Sequence, residues 1–167
     1  MVVGEAPGAS EDAQGIPFIG SAGEMLNRAL EANEFSREDL VVTNAVKCRP
    51  PDNRDPEPEE FEACSEYLYR EILDIEPVAV LTLGNSGLYA MTEEKGITAK
   101  HGIWQRVDID GEMEVLLMPT FHPAYVLYDR TRWFDFLEDV TDFLAVGAYA
   151  LDHGIDEAWR YATPVAD

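Results

Sequence analysis

The stretch Met1-Val2-Val3-Gly4-Glu5-Ala6-Pro7-Gly8 decides the fold. Three apolar residues run straight into a glycine-proline turn, the pattern of a buried strand that stops abruptly. A strand at the very first residue is an unusual start, and it predicts that material once stood upstream. Outward from there, Ser21 to Asn33 places Ala22, Met25, Leu26, Ala29 and Leu30 at helical spacing, with Ser21 as N-cap. Leu40 to Val42 reads as a second buried strand ending at Thr43-Asn44. Pro50, Pro51, Pro56 and Pro58 keep regular structure out of 45–58. Glu59 to Ile75 is a helix with Phe61, Cys64, Leu68 and Ile72 along one side. Val78 to Leu83 is a third strand, followed at Gly84-Asn85-Ser86 by a short helix. Gly102 to Ile109 and Glu114 to Met118 flank Asp110-Gly111, a hairpin signal. Thr131 to Leu151 closes the fold as a long helix. Residues 1–150 therefore read as one domain and 151–167 as a weakly ordered tail.

Strands alternating with helices predict an α/β sandwich around a mostly parallel sheet. Ligands of such sheets bind at the carboxyl ends of the strands. The unusual polar segments fall at those ends: Gly4 to Gly8, Thr43-Asn44 and Phe121 to Tyr125.

Composition bounds the class. A chain of 167 residues with 46% apolar and 10% aromatic residues is a folded domain, not a disordered one. No apolar run reaches the roughly 18 residues of a membrane span, and no basic segment leads into an apolar one as a secretory signal would. Two cysteines, Cys48 and Cys64, do not make an extracellular scaffold. These features predict a cytoplasmic monomer with no membrane partner. Thirty-three acids against twelve bases give a formal charge of −21, and three of the bases are lysines. Acids spread over the whole sequence suit a molar-salt cytoplasm. At ~1 M salt the Debye length is only ~3 Å, so global repulsion disappears and local contacts decide binding. The charge therefore does not exclude a nucleic-acid partner.

Three segments carry a resemblance. They are Gly4-Glu5-Ala6-Pro7-Gly8 with Glu11-Asp12 and Gly15-Ile16-Pro17-Phe18-Ile19-Gly20; Thr43-Asn44-Ala45-Val46-Lys47-Cys48-Arg49-Pro50-Pro51; and His122-Pro123-Ala124-Tyr125. In this order, over roughly residues 1–145, the chain resembles the family 4 uracil-DNA glycosylases, the iron–sulfur type. The resemblance implies a three-layer α/β/α sandwich with a four-stranded, mostly parallel sheet. It implies excision of uracil from DNA as the start of base excision repair, with uracil-containing DNA as partner and replication or repair proteins as further ones.

The resemblance also implies roles for individual residues. Asn44 matches the asparagine that reads the base, and its amide suits uracil: the oxygen accepts from N3–H and the NH2 donates to O4. Phe18 matches the aromatic that stacks on the flipped base, beside Ala6. His122 matches the histidine near uracil O2, where charge develops as the bond breaks. Glu5 and Glu11, both read as lying on the first loop, are the carboxylates for orienting water; Glu11 matches a position near uracil C5. Asn53 matches another position near the site. Ala6 stands where sister families use an aspartate as general base. Val126-Leu127-Tyr128 match the wedge that fills the vacated stack. The N–H groups of Gly4 to Gly8 and the bases Lys47, Arg49, Arg54, Arg130 and Arg132 are expected to face DNA. His101 and His153 match nothing and read as surface residues.

Cys48 and Cys64 resemble the second ligand pair of the family's [4Fe–4S] cluster, which takes four thiolates. The chain supplies only these two, so the cluster is expected to be incomplete or absent. Two rival readings remain: a non-catalytic DNA- or partner-binding remnant of the fold, and a generic nucleotide-binding domain. Gly4 to Gly8 fits neither usual phosphate-loop pattern, which weakens the second.

Overall fold

The computed structural model describes residues 1–163. Strands β1 (Val2–Gly4), β2 (Val42–Asn44) and β3 (Ala79–Leu83) form a mixed sheet with β4 (Gln105–Ile109) and β5 (Met113–Thr120). Its order is β2-β1-β3-β5-β4. All pairs are parallel except β4 with β5. The sheet thus has five strands where four were expected. The first four in that order make the parallel part, and the fifth is added antiparallel at the edge through the Asp110-Gly111 turn.

Side chains alternate across β1 and β3, and this period of two builds two cores. Val2, Leu81 and Leu83 face α2 (Ser21–Glu31) and the long α7 (Trp133–His153), packing with Leu26, Leu30, Phe136 and Val140. Val3 and Val80 face the opposite way, onto Leu68 and Ile72 of α3 (Pro58–Ile75). Helices therefore cover both faces, giving three layers. The shorter helices are α1 (Ala9–Gln14), α4 (Gly84–Thr92), α5 (Ile97–Lys100) and α6 (Pro123–Tyr128).

Three local expectations change. Glu11 lies on α1, not on a loop. The closing helix starts at Trp133, after a 3-10 turn over Arg130–Arg132. Most of the segment read as a tail is ordered: α7 runs on to His153, and Ile155–Ala162 form α8. Ala158 of α8 is fully buried in the α7-side core, and the Arg106 guanidinium lies 5.9 Å from the Trp159 ring centre. The sequence disguised this because α8 is short, and Ile155, Ala158, Trp159 and Ala162, which pack on the core, are interspersed with charged residues. Residues 164–167 lie outside the described residues.

If α8 is part of the core, Ala158→Glu buries an unpaired charge and costs at least about 2 kcal/mol. Chemical denaturation of the variant measures this; an unchanged midpoint would return the segment to the status of a tail.

Candidate functional site

The carboxyl ends of β1, β2 and β5 meet at one edge of the sheet, where a cavity of about 250 Å³ opens. Glu5, Ala6, Glu11, Phe18, Asn44, Asn53 and His122 all line it, joined by Arg54 from the proline-rich loop. Seven positions spread over more than a hundred residues of sequence are thus brought together.

Asn44 ends β2 in parallel register with Gly4 of β1. Its side chain is 5% exposed, and its Oδ1 has no hydrogen-bond partner. A buried polar atom without a partner costs about 1–3 kcal/mol, so this oxygen is an unsatisfied acceptor on a residue that lines the cavity. The backbone beneath it is held firmly. Lys47 Nζ donates to the Asn44 carbonyl at 2.8 Å, to Thr43 Oγ1 at 2.9 Å and to the Glu71 carboxylate at 2.7 Å. Phe18 comes to the same point from the loop after α1, with only 6% of its surface exposed. A Cβ on Gly4 would stand 2.3 Å from the Phe18 ring and 2.6 Å from Asn44 Oδ1. Only glycine leaves room for both.

His122 is the N-cap of α6, and its Nδ1 accepts the Ala124 backbone N–H at 3.2 Å. The proton of the neutral ring is therefore on Nε2. Loss of water solvation lowers the His122 pKa to about 4. Its ring centre lies 5.8 Å from that of Phe18. The site holds an aromatic face, an open amide oxygen and a neutral imidazole donor around one cavity.

The two carboxylates differ. Burial pushes the Glu5 pKa up, while a 2.6 Å hydrogen bond from Ser86 Oγ pulls it partway back. Glu11 feels a burial penalty too, but backbone N–H groups outweigh it and hold its pKa below the usual carboxylate value. Its Oε1 accepts from Ile19 N at 3.0 Å and Gly20 N at 2.8 Å. Burial thus favours the protonated form of Glu5, whereas Glu11 is committed to the loop that carries Phe18. Asn53, at φ 53°, accepts from Arg49 Nε at 2.7 Å.

Other expectations shift. Lys47 is engaged beneath Asn44, not turned to a ligand. Arg54 pairs with Glu60 at 2.8 Å, and Arg132 with Asp135 at 3.1 Å. Arg130 forms no ion pair among the described residues; it shares a small cavity with Met25, Trp133 and Arg28, which the sequence did not single out. Val126 of the expected wedge is buried in the core, whereas Tyr128 is 89% exposed. His101 is not a free surface group. Its Nδ1 lies 3.0 Å from the buried Asp139 carboxylate, which also accepts Thr120 Oγ1 at 2.6 Å. The clue was an aspartate on the apolar side of α7, between Phe136 and Phe143. His153 is exposed and stacks on Tyr149 at 4.0 Å.

Cys64 is buried, and its Sγ accepts the Lys47 backbone N–H at 3.4 Å; Cys48 is exposed. Two thiols are half of the set that a [4Fe–4S] cluster takes. No group of three metal-ligating side chains occurs among the described residues. The chain's own residues do not fit the cluster. Among the described residues no helix is long and apolar enough to cross a membrane.

The profile of the Uracil DNA glycosylase superfamily matches residues 1–145. The chain is 46% identical over 135 residues to a type-4 uracil-DNA glycosylase of Saccharolobus solfataricus, covering 77% of this chain and 62% of that protein. It is 41% identical over 138 residues to one of Sulfurisphaera tokodaii, covering 77% and 61%. With one of Pyrobaculum aerophilum, identity is 40% over 164 residues, covering 93% and 80%. The chain thus spans less than two thirds of the first two relatives.

The Glu5 environment has a measurable consequence. A carbon-13 NMR titration should give Glu5 an inflection above the ordinary glutamate value, and Ser86→Ala should move it higher still. The sign follows from the donor: Ser86 stabilises the charged carboxylate, so its loss favours the protonated form. A Glu5 inflection unmoved by Ser86→Ala would remove Ser86 from the site.

Proposed function

Since the chain belongs to the uracil DNA glycosylase superfamily, we propose that it excises uracil from DNA by hydrolysing the N-glycosidic bond. The observation that carries this reading is Asn44 Oδ1, buried and unpartnered in a cavity walled by Phe18 and His122.

A base in a duplex cannot be reached by an enzyme until it leaves the stack, at a cost of a few kcal/mol. In the cavity, Asn44 Oδ1 accepts from uracil N3–H and its NH2 donates to O4. Cytosine offers an acceptor at N3 and a donor at C4, so both contacts are reversed and buried groups are left unpaired. Phe18 stacks on the ring, a contact worth about 1–3 kcal/mol per base. As the N1–C1′ bond breaks, its electron pair passes into the uracil ring, and charge develops on O2. The Nε2–H of His122 donates there. A neutral histidine suffices, because it is fixed in place and its donor needs no proton from solvent. Water adds to C1′, and Glu5 in its ionised form takes the proton that water loses. With Ala6 where an aspartate base would stand, leaving-group stabilisation carries most of the barrier lowering. Arg28 and Arg130 grip the phosphate backbone, and exposed Tyr128 fills the vacated stack.

The test is cleavage of a uracil-containing oligonucleotide in molar KCl, read as alkali-labile strand breaks. Asn44→Asp should cripple uracil release, and His122→Ala should slow the single-turnover step about 10²–10³-fold, the usual loss of one charge-stabilising donor, with DNA binding retained. Binding with no cleavage by the unaltered chain would favour the non-catalytic remnant.

Salt provides a second measurement, tied to the proposal that this is a halophilic member of the family. The charge of −21 acts over tens of ångströms at ~0.01 M salt but over ~3 Å at ~1 M. Salt relieves repulsion within the fold and toward DNA before it erodes a few arginine–phosphate contacts. Activity should peak at or above ~1 M, tracking the folded fraction by circular dichroism. A maximum near about 50 mM with monotonic decline, as for ordinary DNA binders, would overturn the halophilic reading.

A further inference from the structure

We propose that Arg37 is a positioning residue for base binding: together with Glu11 it clasps residues 17–20 and fixes Phe18 as the stacking surface. The proposal rests on the uracil-excision reading above and extends it to a residue outside the cavity.

Phe18 has a φ of 55°, in the left-handed region that a residue with a Cβ disfavours. Something must hold it there, and the holding groups come from two sides. The Arg37 guanidinium donates through Nη1 to the Phe18 carbonyl at 2.8 Å and through Nη2 to the Pro17 carbonyl. The Glu11 carboxylate accepts from the next two backbone N–H groups, those of Ile19 and Gly20. Four consecutive residues are thereby bound through opposite polarities, carbonyls by a cation and amides by an anion. The first turn of α2 closes the third side: a Cβ on Gly23 would stand 1.7 Å from the Phe18 oxygen. With that oxygen so placed, the Phe18 ring is directed onto Gly4 and Asn44.

Arg37 is suited to this task rather than to an ion pair. It sits on a 3-10 turn, Arg37–Asp39, whose N-cap Ser36 and third residue Asp39 form a capping box. That turn is fixed before the long side chain begins. In a chain of thirty-three acids, Arg37 has no carboxylate within ion-pair distance among the described residues; its donors go to two carbonyls. Partial burial lowers its pKa and the Glu11 charge raises it, as expected of two charges that face each other across the loop. A planar fork can meet two carbonyls at once, and an ammonium point charge cannot reproduce that geometry.

The test compares the unaltered chain with Arg37→Gln, Arg37→Lys, Phe18→Leu and the Arg37→Gln/Phe18→Leu pair, all at the salt optimum. Amide hydrogen exchange reports the loop, calorimetry with free uracil reports the pocket, and thermal melting reports the fold. Arg37→Gln should lose protection at Ile19 and Gly20 while the strand amides keep theirs. Uracil binding should weaken about tenfold or more, equivalent to at least about 1.4 kcal/mol, and the single-turnover half-saturation should rise more than the maximal rate falls. Arg37→Lys should recover part of the binding. Because Arg37 acts through Phe18, the double variant should bind uracil no worse than the weaker single one. Unchanged exchange at Ile19 and Gly20 in Arg37→Gln, or losses that multiply in the double variant, would overturn the proposal. So would a fall in strand protection equal to that of the loop, which marks general destabilisation. If the unaltered chain neither binds nor cleaves uracil, the functional reading fails, and exchange alone then decides whether the clasp exists.

Discussion

The missing side chain at Gly4 is the constraint on which the site depends. Parallel pairing of β1 with β2 sets Gly4 beside Asn44, and both lie where the sheet ends and the backbone turns away. The space a Cβ would take is occupied by the Phe18 ring and the Asn44 amide. An aromatic face and a hydrogen-bonding edge are thereby brought to one point without a flexible side chain between them. Burial does the rest: Asn44 Oδ1 is enclosed without a hydrogen-bond partner, and loss of solvation favours the neutral form of His122. One desolvated edge of the sheet therefore sets both the packing and the charge state of these groups.

Desolvation acts with opposite results on the groups around that edge. It discourages the charged form of each, so His122 loses its proton and Glu5 holds its own more tightly. Where fixed backbone donors are supplied, the outcome reverses, and Glu11 stays ionised despite its burial penalty. Two glutamates six residues apart thus have different characters. Glu5 has a single hydroxyl against its burial penalty, and its pKa is raised. Glu11, saturated by amides, is a structural anion whose value lies in where it holds the loop.

Much of this was legible in the sequence because it sits in short segments. Strand β1, the end of β2 and the histidine before α6 each carry their polar residues next to an apolar run, and topology alone predicts that such ends converge. The edge strand β4 was also legible through Asp110-Gly111, although the resemblance counted only four strands. What escaped were contacts made across long separations. Arg37 reaches back about twenty residues, Ser86 meets Glu5 from a different strand end, and Asp139 links Thr120 to His101 from inside a helix. None of these leaves a periodic trace. Lys47 was misjudged for a related reason: a lysine beside a motif looks like a ligand contact until Glu71, on a distant helix, is seen to claim it.

That distinction bears on how so acidic a chain could approach a polyanion. Most of its cations are neutralised in place by carboxylates, including Arg54 at the cavity and Arg132 before α7. Arg28, Arg37, Arg49, Lys95 and Arg130 form no ion pair among the described residues. Lys95 lies over the Tyr89 ring, away from the cavity. Of the other four, Arg37 holds the Phe18 loop, Arg49 holds Asn53, and Arg28 with Arg130 lines a separate small cavity with Met25 and Trp133. Net charge averages over the whole surface, whereas a phosphate within a screening length feels only its neighbours. At this edge Glu5 and Glu11 line the cavity beside Arg54, so the pairing of the nearest side chains, and not the net charge, decides what a charged group meets there.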